Sequence, residues 1–578
     1  MKKRLNLLIF LTVVSAIFVG KVFATGITVT VDKNYTIDTL DKTSVSETHT
    51  IENQGTTGWI SDSNTEYFFV SVTTGDADSL NKTLATVQIT EDGTKVNFTT
   101  DIKTDYAMLG AKLTKAVKPG EKTVFQITYN DFGLIEQKGA LADFYAPGFQ
   151  EGTTTNLLQT TYVYNTYVSV NNTLPGLNFV VPDATETQNT KTYTKFFFTY
   201  KSLLNQYIWI QIGRQQYYKF SIIQDVTGTE SSNTGYTNEY KLIVPRSVDE
   251  PSIYQRVYYS SITPAPKYAE TDIDGNLILA FDFPTNYTGQ ISIQGYAEVG
   301  RNNSVTIDAS NSGNITDNTI SNMGNYLKQA AYWEVNDSKI QTTAHQVIGN
   351  ERNIFNISKD LYTFIVNRID YSTVKRFGLN ERQGALATLN GGAAVCMEYS
   401  DLFLALARAD GLPARAVFGY SYDSKLKNTD QEAHQWDEVF MPGLGKWVSI
   451  DVTWGESGMK MTEGNLNHFF THMASVDPNT PALVERQSYG TNVNSLSMPV
   501  FTISAINSIS DSGGLKTQQM LLDAYVKITP PESSLFSSIQ NLPVIKSINV
   551  STIIIVVGTV LMLISVSGIV RLMKSDNE

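Results

Sequence analysis

The single cysteine of this chain, Cys396, follows two glycines and opens a helical pattern. Apolar residues recur three and four apart after it, up to Gly411 and Pro413. This spacing predicts a helix that begins at the cysteine and stops at the glycine. A helix start favours an anion, lowers the pKa of a thiol and offers N–H groups to an oxyanion. Cys396 is therefore a candidate nucleophile, although a buried small hydrophobe or an intermolecular disulfide would also account for it.

Two residues of matching chemistry follow on a predicted β-hairpin. His434 and Asp451 lie in strand-like runs on either side of a Pro-Gly-Leu-Gly turn at 442–445. With this turn Met441 pairs with Lys446, and Asp451 lies two residues from the position opposite His434 on the same face. A lone histidine in a strand is more often structural. A thiol, an imidazole base and a carboxylate that orients the base together indicate nucleophilic catalysis.

The elements that must position these residues are helical before the hairpin. Apolar residues three and four apart predict helices in 321–335, 337–349 and 357–371, with helix starts at Ser or Asp. Residues 27–300 instead show alternating apolar residues and many β-branched and aromatic residues between turns. We therefore expect an all-β, sandwich-like N-terminal region followed by an α+β catalytic domain at 320–480.

Turn clusters divide the N-terminal region into two predicted β-rich parts, 25–135 and 136–300. The chain has 578 residues and 42% of them are hydrophobic, which is enough for several cores without disulfides. Its net charge is −12 and it has no basic run in the interior, so nucleic acid is not an expected partner.

The two ends of the chain predict a membrane-anchored, exported protein. Residues 1–24 resemble a signal peptide, although Lys21 lies close to the cleavage position and an uncleaved anchor is the alternative. Residues 547–570 have no charge and predict a transmembrane helix, with a juxtamembrane segment at 481–546. Basic residues in the tail 571–578 indicate a cytoplasmic C-terminus. The expected location is the cell membrane, with a single span and an extracytoplasmic ectodomain.

The motifs GAAVCMEYSDLFLALARADGLPARAVFGY, AHQWDEVF and KWVSIDVTW resemble, in this order, the core of the transglutaminase-like superfamily. That core is similar in design to papain-like cysteine peptidases, and the resemblance covers about 325–475. It implies Cys396 as nucleophile, His434 as base and Asp451 as its partner. Asp-Val-Thr stands where the family usually has Asp-Pro-Thr, and Ala-Ala-Val precedes the cysteine. The resemblance also implies an aromatic framework around the site that contributes to substrate binding, formed by Trp436, Trp447 and Trp454.

The chemistry that this resemblance implies is acyl transfer on protein or peptide amides at the cell surface through a Cys396 thioester. The enzyme would be of the transglutaminase or the cysteine-peptidase and amidase type, without a cofactor. Gln383 and Tyr371 are candidates for a second oxyanion donor. A metal site is not expected, although His468 and His472 would share one face of a helix. The alternative is a non-catalytic surface binding or adhesion protein with a transglutaminase-like module, and the complete triad favours the enzyme.

Overall fold

The computed structural model describes most of the chain between residues 26 and 527. The described ranges are 26–55, 67–74, 76–103, 106–149, 160–204, 206–228, 237–302, 306–376, 381–421, 432–462, 466–476, 484–488, 491–492, 497–510 and 513–527. The predicted signal peptide 1–24, transmembrane helix 547–570 and tail 571–578 lie outside these ranges. Among the helices of the described ranges, none has the length and apolarity needed to cross a bilayer.

Strands dominate the described residues up to Arg301. The first fifteen are β1 Ile27–Ile37, β2 Thr43–Asn53, β3 Tyr67–Thr73, β4 Gln88–Glu91, β5 Thr94–Lys95, β6 Phe98–Ile102, β7 Tyr106–Lys112, β8 Lys122–Asp131, β9 Ile135–Lys138, β10 Leu141–Ala146, β11 Thr160–Asn171, β12 Leu177–Val181, β13 Glu186–Asn189, β14 Tyr193–Thr199 and β15 Ile208–Ile212. The next seven are β16 Gln215–Val226, β17 Thr237–Val244, β18 Val248–Asp249, β19 Ile253–Thr263, β20 Tyr268–Thr271, β21 Leu277–Pro284 and β22 Gly289–Arg301.

Helices and the last strands follow. The strands are β23 Ala414–Ser421, β24 Glu432–Met441, β25 Lys446–Ile450, β26 His468–Ala474, β27 Val484–Ser488, β28 Thr491–Asn492, β29 Val500–Ile506 and β30 Lys516–Thr517. The α-helices are α1 Ala77–Leu84, α2 Ser338–Ile348, α3 Ile354–Arg368, α4 Thr373–Arg376, α5 Ala385–Leu389, α6 Cys396–Ala409 and α7 Gln518–Ala524. Short 3₁₀ helices lie at Lys201–Leu203, Asn318–Asn322, Gly324–Leu327 and Thr453–Ser457.

The first sandwich is built from strands β1 to β15. An eight-stranded sheet in the order β13-β14-β11-β1-β2-β8-β4-β5 is accompanied by sheets in the orders β12-β15-β10-β9 and β3-β7-β6. Alternate residues of each long strand enter one shared apolar core, as in β1, where Ile27, Val29 and Val31 are buried. The strand-rich prediction for this region is confirmed. The structure adds helix α1, which begins at an Asp76 cap that accepts a hydrogen bond from the Ser79 N–H at 2.9 Å.

The second sandwich combines strands from before and after the helical region. Its sheets have the orders β18-β19-β22-β16-β29 and β20-β21-β17-β27-β28, with β30 beside β19. Strand β29 pairs with β16 and β27 with β17, both antiparallel. The helical region is therefore inserted between β22 and β27. Part of the segment expected at 481–546 to be juxtamembrane thus lies within these sheets.

The inserted region packs helices against a four-stranded sheet in the order β25-β24-β23-β26. Helices α2 and α3 begin at Asp337 and Asn353, whose side chains accept hydrogen bonds from the first backbone N–H groups. The helices predicted at 337–349 and 357–371 are therefore confirmed. The prediction of a helix at 321–335 is wrong, because the described chain forms only short 3₁₀ turns there before it extends. Gly324, near the start of this stretch, makes a longer helix costly.

Helix α6 is the central element of the insertion. Twelve of its residues are buried, and it packs on α2, α3, α5 and β24. The helix begins at Cys396, and Gly411 follows its end with a φ of +87°. Glycine adopts this conformation without strain, so both predicted ends of the helix are confirmed. The described residues up to Tyr525 form one compact unit.

Candidate active site

The first turn of α6 is fixed by a buried glutamate. Glu398 accepts hydrogen bonds from the backbone N–H groups of Val395 at 3.0 Å and Gln383 at 3.1 Å. Its carboxylate also forms a buried ion pair with Lys375 at 2.7 Å. These bonds tie the segment before the helix and a distant loop to one side chain. The backbone that carries Cys396 is therefore rigidly placed. Cys396 itself is 9% exposed.

The β24–β25 hairpin has the predicted register. Met441 pairs with Lys446, and the ladder continues to Asp437 opposite Ile450. Asp451 comes directly after β25, where the chain turns into the 3₁₀ helix Thr453–Ser457. The imidazole Nε2 of His434 lies 2.7 Å from Asp451 Oδ2. The hairpin therefore brings the predicted base and its carboxylate into a direct hydrogen bond.

The thiol completes the constellation, since Cys396 lies close enough to the His434 imidazole to contribute to the rise of its pKa. With Nε2 engaged by Asp451, the other ring nitrogen is the one left to face the sulfur. The structure thus brings together Cys396, His434 and Asp451, which lie 55 residues apart in the sequence from first to last. This arrangement has the geometry of a nucleophile, a base and a group that orients the base.

Asp451 is held from four directions. Its Oδ2 is bonded to the Nε2 atoms of both His434 and His468, each at 2.7 Å. Its Oδ1 accepts the backbone N–H groups of Thr453 at 3.0 Å and Trp454 at 3.4 Å. Every lone-pair direction of the carboxylate is therefore occupied. The carboxylate cannot rotate without breaking several charge-assisted hydrogen bonds at once.

The electrostatics of the pair favour a charged imidazole. Burial by itself lowers the pKa of His434, but the Asp451 carboxylate and the Cys396 thiol outweigh burial and raise this pKa to about 10. Burial raises the pKa of Asp451, but the charge and hydrogen bonds of His434 and His468 hold it well below its usual range. The imidazole beside the Cys396 thiol is therefore protonated at neutral pH.

His468 is the residue that the sequence interpretation missed. Its segment was expected to present His468 and His472 on one helix face, and this expectation is wrong because the segment forms strand β26. A bulge at Thr471 in the pairing with β23 separates the two histidines, and His472 stacks on Phe418 with ring centroids 4.8 Å apart. The two aromatic residues and the β-branched threonine of NHFFTHM, residue types that are enriched in strands, were the available sign of a strand.

The three tryptophans occupy different places. Trp436 lies beneath the imidazoles, with ring centroids 5.8 Å from His434 and 4.9 Å from His468. Trp454 lines an open cleft beside Asp451 and His468. Trp447 packs on Tyr326, Phe440 and Arg415, away from the triad. Two of the three predicted aromatic residues therefore surround the site.

Both candidates for a second oxyanion donor lie beside the cysteine segment. The Gln383 side-chain amide donates to the carbonyl of Ala393 at 2.9 Å. Tyr371 forms an isolated backbone bridge with Ala394, and its N–H donates to the Glu456 carboxylate at 2.7 Å. The Gln383 amide is therefore already engaged in holding the loop before the helix.

A buried polar network locks α6 onto β24 behind the triad. Ser400 donates to Asp437 at 2.5 Å and accepts from the Gln435 amide at 2.8 Å. Burial raises the pKa of Asp437, with the nearby carboxylate of Asp401 acting in the same direction. The network joins the helix of the thiol to the strand of the imidazole, and so fixes their separation.

His434, Asp451 and His468 also place ligand atoms within 4.8 Å of one another, as a metal site does. In the structure these atoms are engaged in hydrogen bonds with each other, with the two imidazoles directed at the carboxylate. The expectation of a metal-independent site stays a prediction.

The comparisons with known proteins concern the same region. Residues 341–452 match the model of the transglutaminase-like superfamily. A provisionally assigned cysteine protease from Cytophaga hutchinsonii is 16% identical, with 52% of this chain and 93% of that chain covered and a TM-score of 0.34. A provisionally assigned protease from Parabacteroides distasonis is 9% identical, with 81% and 71% covered and a TM-score of 0.19. No curated protein matches this chain significantly.

The matched range contains the start of α6 and the complete β24–β25 hairpin, and therefore all three triad residues. The resemblance that the sequence motifs predicted is confirmed. At the level of the superfamily, this match supports a thiol-dependent hydrolase or transferase. The part of the inserted region at 341–452 is thus similar to the transglutaminase-like superfamily, and the second β-sandwich carries it.

Proposed function

We propose that the protein is a thiol-dependent acyltransferase or hydrolase that acts on the amide groups of proteins or peptides through a thioester on Cys396. The observation that carries this proposal is the placement of the Cys396 thiol beside the His434 imidazole, which is itself hydrogen bonded to a fully engaged Asp451. Such an arrangement supplies a thiolate, a proton donor for the leaving group and a carboxylate that keeps the imidazole in place.

In the proposed reaction the Cys396 thiolate attacks the amide carbonyl carbon and forms a carbon–sulfur bond. The oxyanion is stabilised by the backbone N–H of Cys396 at the start of α6. His434 gives its proton to the amine, the carbon–nitrogen bond breaks, and a thioester and a free amine result. Neutral His434 then takes a proton from water or a second amine as it attacks the thioester, which restores the thiolate and the imidazolium.

The site is suited to neutral pH because the proton donor is already charged there. The raised pKa of His434 keeps the imidazolium present beside the sulfur at neutral pH, so the proton for the leaving amine is in place before the sulfur attacks. Formation of the thioester removes the thiolate charge from beside the imidazolium. This loss of the neighbouring anion weakens the hold on the proton and helps its transfer to the leaving amine.

The test is alkylation of Cys396 with iodoacetamide over a range of pH, followed by peptide mass spectrometry, on the full-length chain. The wild-type thiol should react well below the pKa of about 8.5 of a free thiol. His434→Ala should move the reactivity to the pH range of a free thiol, and Cys396→Ser should abolish labelling. Mixtures of glutamine-containing peptides and primary amines then distinguish amine transfer from hydrolysis. If the wild-type thiol titrates near 8.5 and its reactivity is unchanged by His434→Ala, the protein is a binding module instead of an enzyme.

We also propose that the catalytic region acts outside the cell, held at the membrane by residues 547–570. The support is the sequence of both chain ends, with an apolar leader before residue 25 and a charge-free apolar run followed by basic residues. A chain ended at residue 540 should appear in the medium, whereas retention of that chain on the membrane would contradict the proposed anchor.

A further inference from the structure

Strand β15 of the first sandwich has both faces buried. Its isoleucines enter the core of the sandwich, and Trp209 points the other way, yet it is only 1% exposed. The outer face of an antiparallel sheet is commonly solvated, so a tryptophan there needs a cover. The cover is the segment that follows Asp451. The Trp209 ring lies 5.5 Å from the Trp454 ring, and Met459 belongs to the same apolar cluster.

Trp209 is itself firmly held within the first sandwich. Its indole N–H donates to the buried carboxylate of Asp143 at 2.8 Å. Phe179 meets the indole edge-to-face at 4.7 Å, and Tyr145 stacks at 5.7 Å. Asp143 also accepts a hydrogen bond from Gln211 at 2.9 Å. Trp209 is therefore a rigid surface against which the segment at 452–461 rests.

The opposite side of this segment is fastened to the helices. Tyr362 of α3 donates to the Met459 carbonyl at 2.7 Å, and Glu456 accepts the Tyr371 N–H at 2.7 Å. Gly458 lies so close to the first sandwich that a Cβ there would be 3.0 Å from a methyl group of Val181. The segment is thus enclosed between α3 and the first sandwich.

The enclosed segment also holds the Asp451 carboxylate. Asp451 Oδ1 accepts the N–H groups of Thr453 and Trp454, so a movement of the Trp454 backbone moves a hydrogen-bond partner of the carboxylate. The Trp454 ring also faces His468 at 6.4 Å. Because the chain is continuous, the position of Trp454 against Trp209 is transmitted to the group that orients His434.

We propose that Trp209 is a positioning residue for the reaction. Through Trp209, the first sandwich contributes to the geometry of the active site. This inference rests on the proposed function of Cys396. Loss of the Trp209 ring leaves Trp454 without its support and lets the 3₁₀ helix that holds Asp451 shift. A misplacement of about 1 Å at a reacting group costs about 100-fold in rate, so a partial shift should cost about 10- to 100-fold.

The experiment compares three variants of the full-length chain by their rates of Cys396 alkylation across pH and by their thermal unfolding. Trp209→Ala should slow alkylation at neutral pH by about 10- to 100-fold and move its acidic limb toward that of a free thiol. Trp209→Phe, which keeps an aromatic surface, should cost about threefold on the same argument. The control is Phe198→Ala, which empties an equally buried position in the core of the same sandwich without touching the Trp209 cluster.

The proposal is supported if the two Trp209 variants change the pH profile in this order while Phe198→Ala keeps the wild-type profile. A wild-type profile for Trp209→Ala overturns it, and so does an equal loss in Phe198→Ala at a matched melting temperature. If Trp209→Ala does not fold, Trp209→Phe decides, and a rate equal to wild type overturns the proposal. An unreactive thiol in the wild-type chain would instead refute the proposed function, so the two failures are distinct.

Discussion

The second imidazole on Asp451 offers a sharp test of the site. His468→Leu removes the Nε2–H donor that lies 2.7 Å from Asp451 Oδ2 while an apolar side chain stays against Trp436. His468→Gln is the matched control, because the side-chain amide nitrogen of glutamine can donate from nearly the position of imidazole Nε2. The pair separates the hydrogen bond from the volume of the side chain.

The magnitude follows from the bonds that remain. A hydrogen bond to a buried charged group contributes about 1.5–3 kcal/mol. Each 1.36 kcal/mol lost from transition-state stabilisation is tenfold in rate, so His468→Leu should slow thioester formation by about 10- to 100-fold. The loss of rate should not exceed this range, because the N–H groups of Thr453 and Trp454 still hold Asp451 Oδ1.

The assay is the rate of Cys396 alkylation against pH, together with turnover of an amide donor once one is identified. We expect His468→Leu to move the acidic limb toward the pKa of about 8.5 of a free thiol, because a less firmly held imidazolium stabilises the thiolate less. His468→Gln should keep most of the wild-type profile. Equal profiles for the leucine and glutamine variants, at similar melting temperatures, would refute the role of this hydrogen bond.

Three further predictions concern stability. The folded-state pKa of His434 is raised from 6.5 to about 10, so its contribution to the free energy of unfolding is fully present below pH 6.5 and is lost as pH rises toward 10. Denaturant titrations should show this decline in stability, and His434→Gln should flatten it. Burial lowers the pKa of His472 to about 4, so unfolding takes up a proton and stability falls as pH falls from 6.5 to 4. His472→Phe, whose ring can also stack on Phe418, should remove this acid sensitivity. An unchanged dependence of stability on pH in this variant would contradict the assignment to His472. A chain ended at residue 483 lacks β27 and β29 and should aggregate through the open edges of β17 and β16, whereas a chain ended at 527 should stay monomeric by size-exclusion chromatography.

The local part of the site was predictable from the sequence. A helix that begins at Cys396 follows from the spacing of its apolar residues and from Gly411, and both signals act within a few turns. The register of the hairpin follows from a four-residue turn, since the turn fixes which residues of β24 and β25 face each other. Cys396, His434 and Asp451 could be named because each lies on such a locally determined element.

The sequence by itself therefore determined the strand-rich region, the main helices around Cys396, the three candidate catalytic residues and the resemblance to the transglutaminase-like superfamily. Only the tertiary structure decided what surrounds them. His468 reaches Asp451 because β26 lies beside β23, and Trp209 reaches Trp454 because the first sandwich covers the segment after Asp451. Contacts between residues far apart in the chain leave no periodicity in either segment, because each side chain only follows the pattern of its own strand. Their partners are selected by the packing of whole sheets and helices, which is a property of the folded chain.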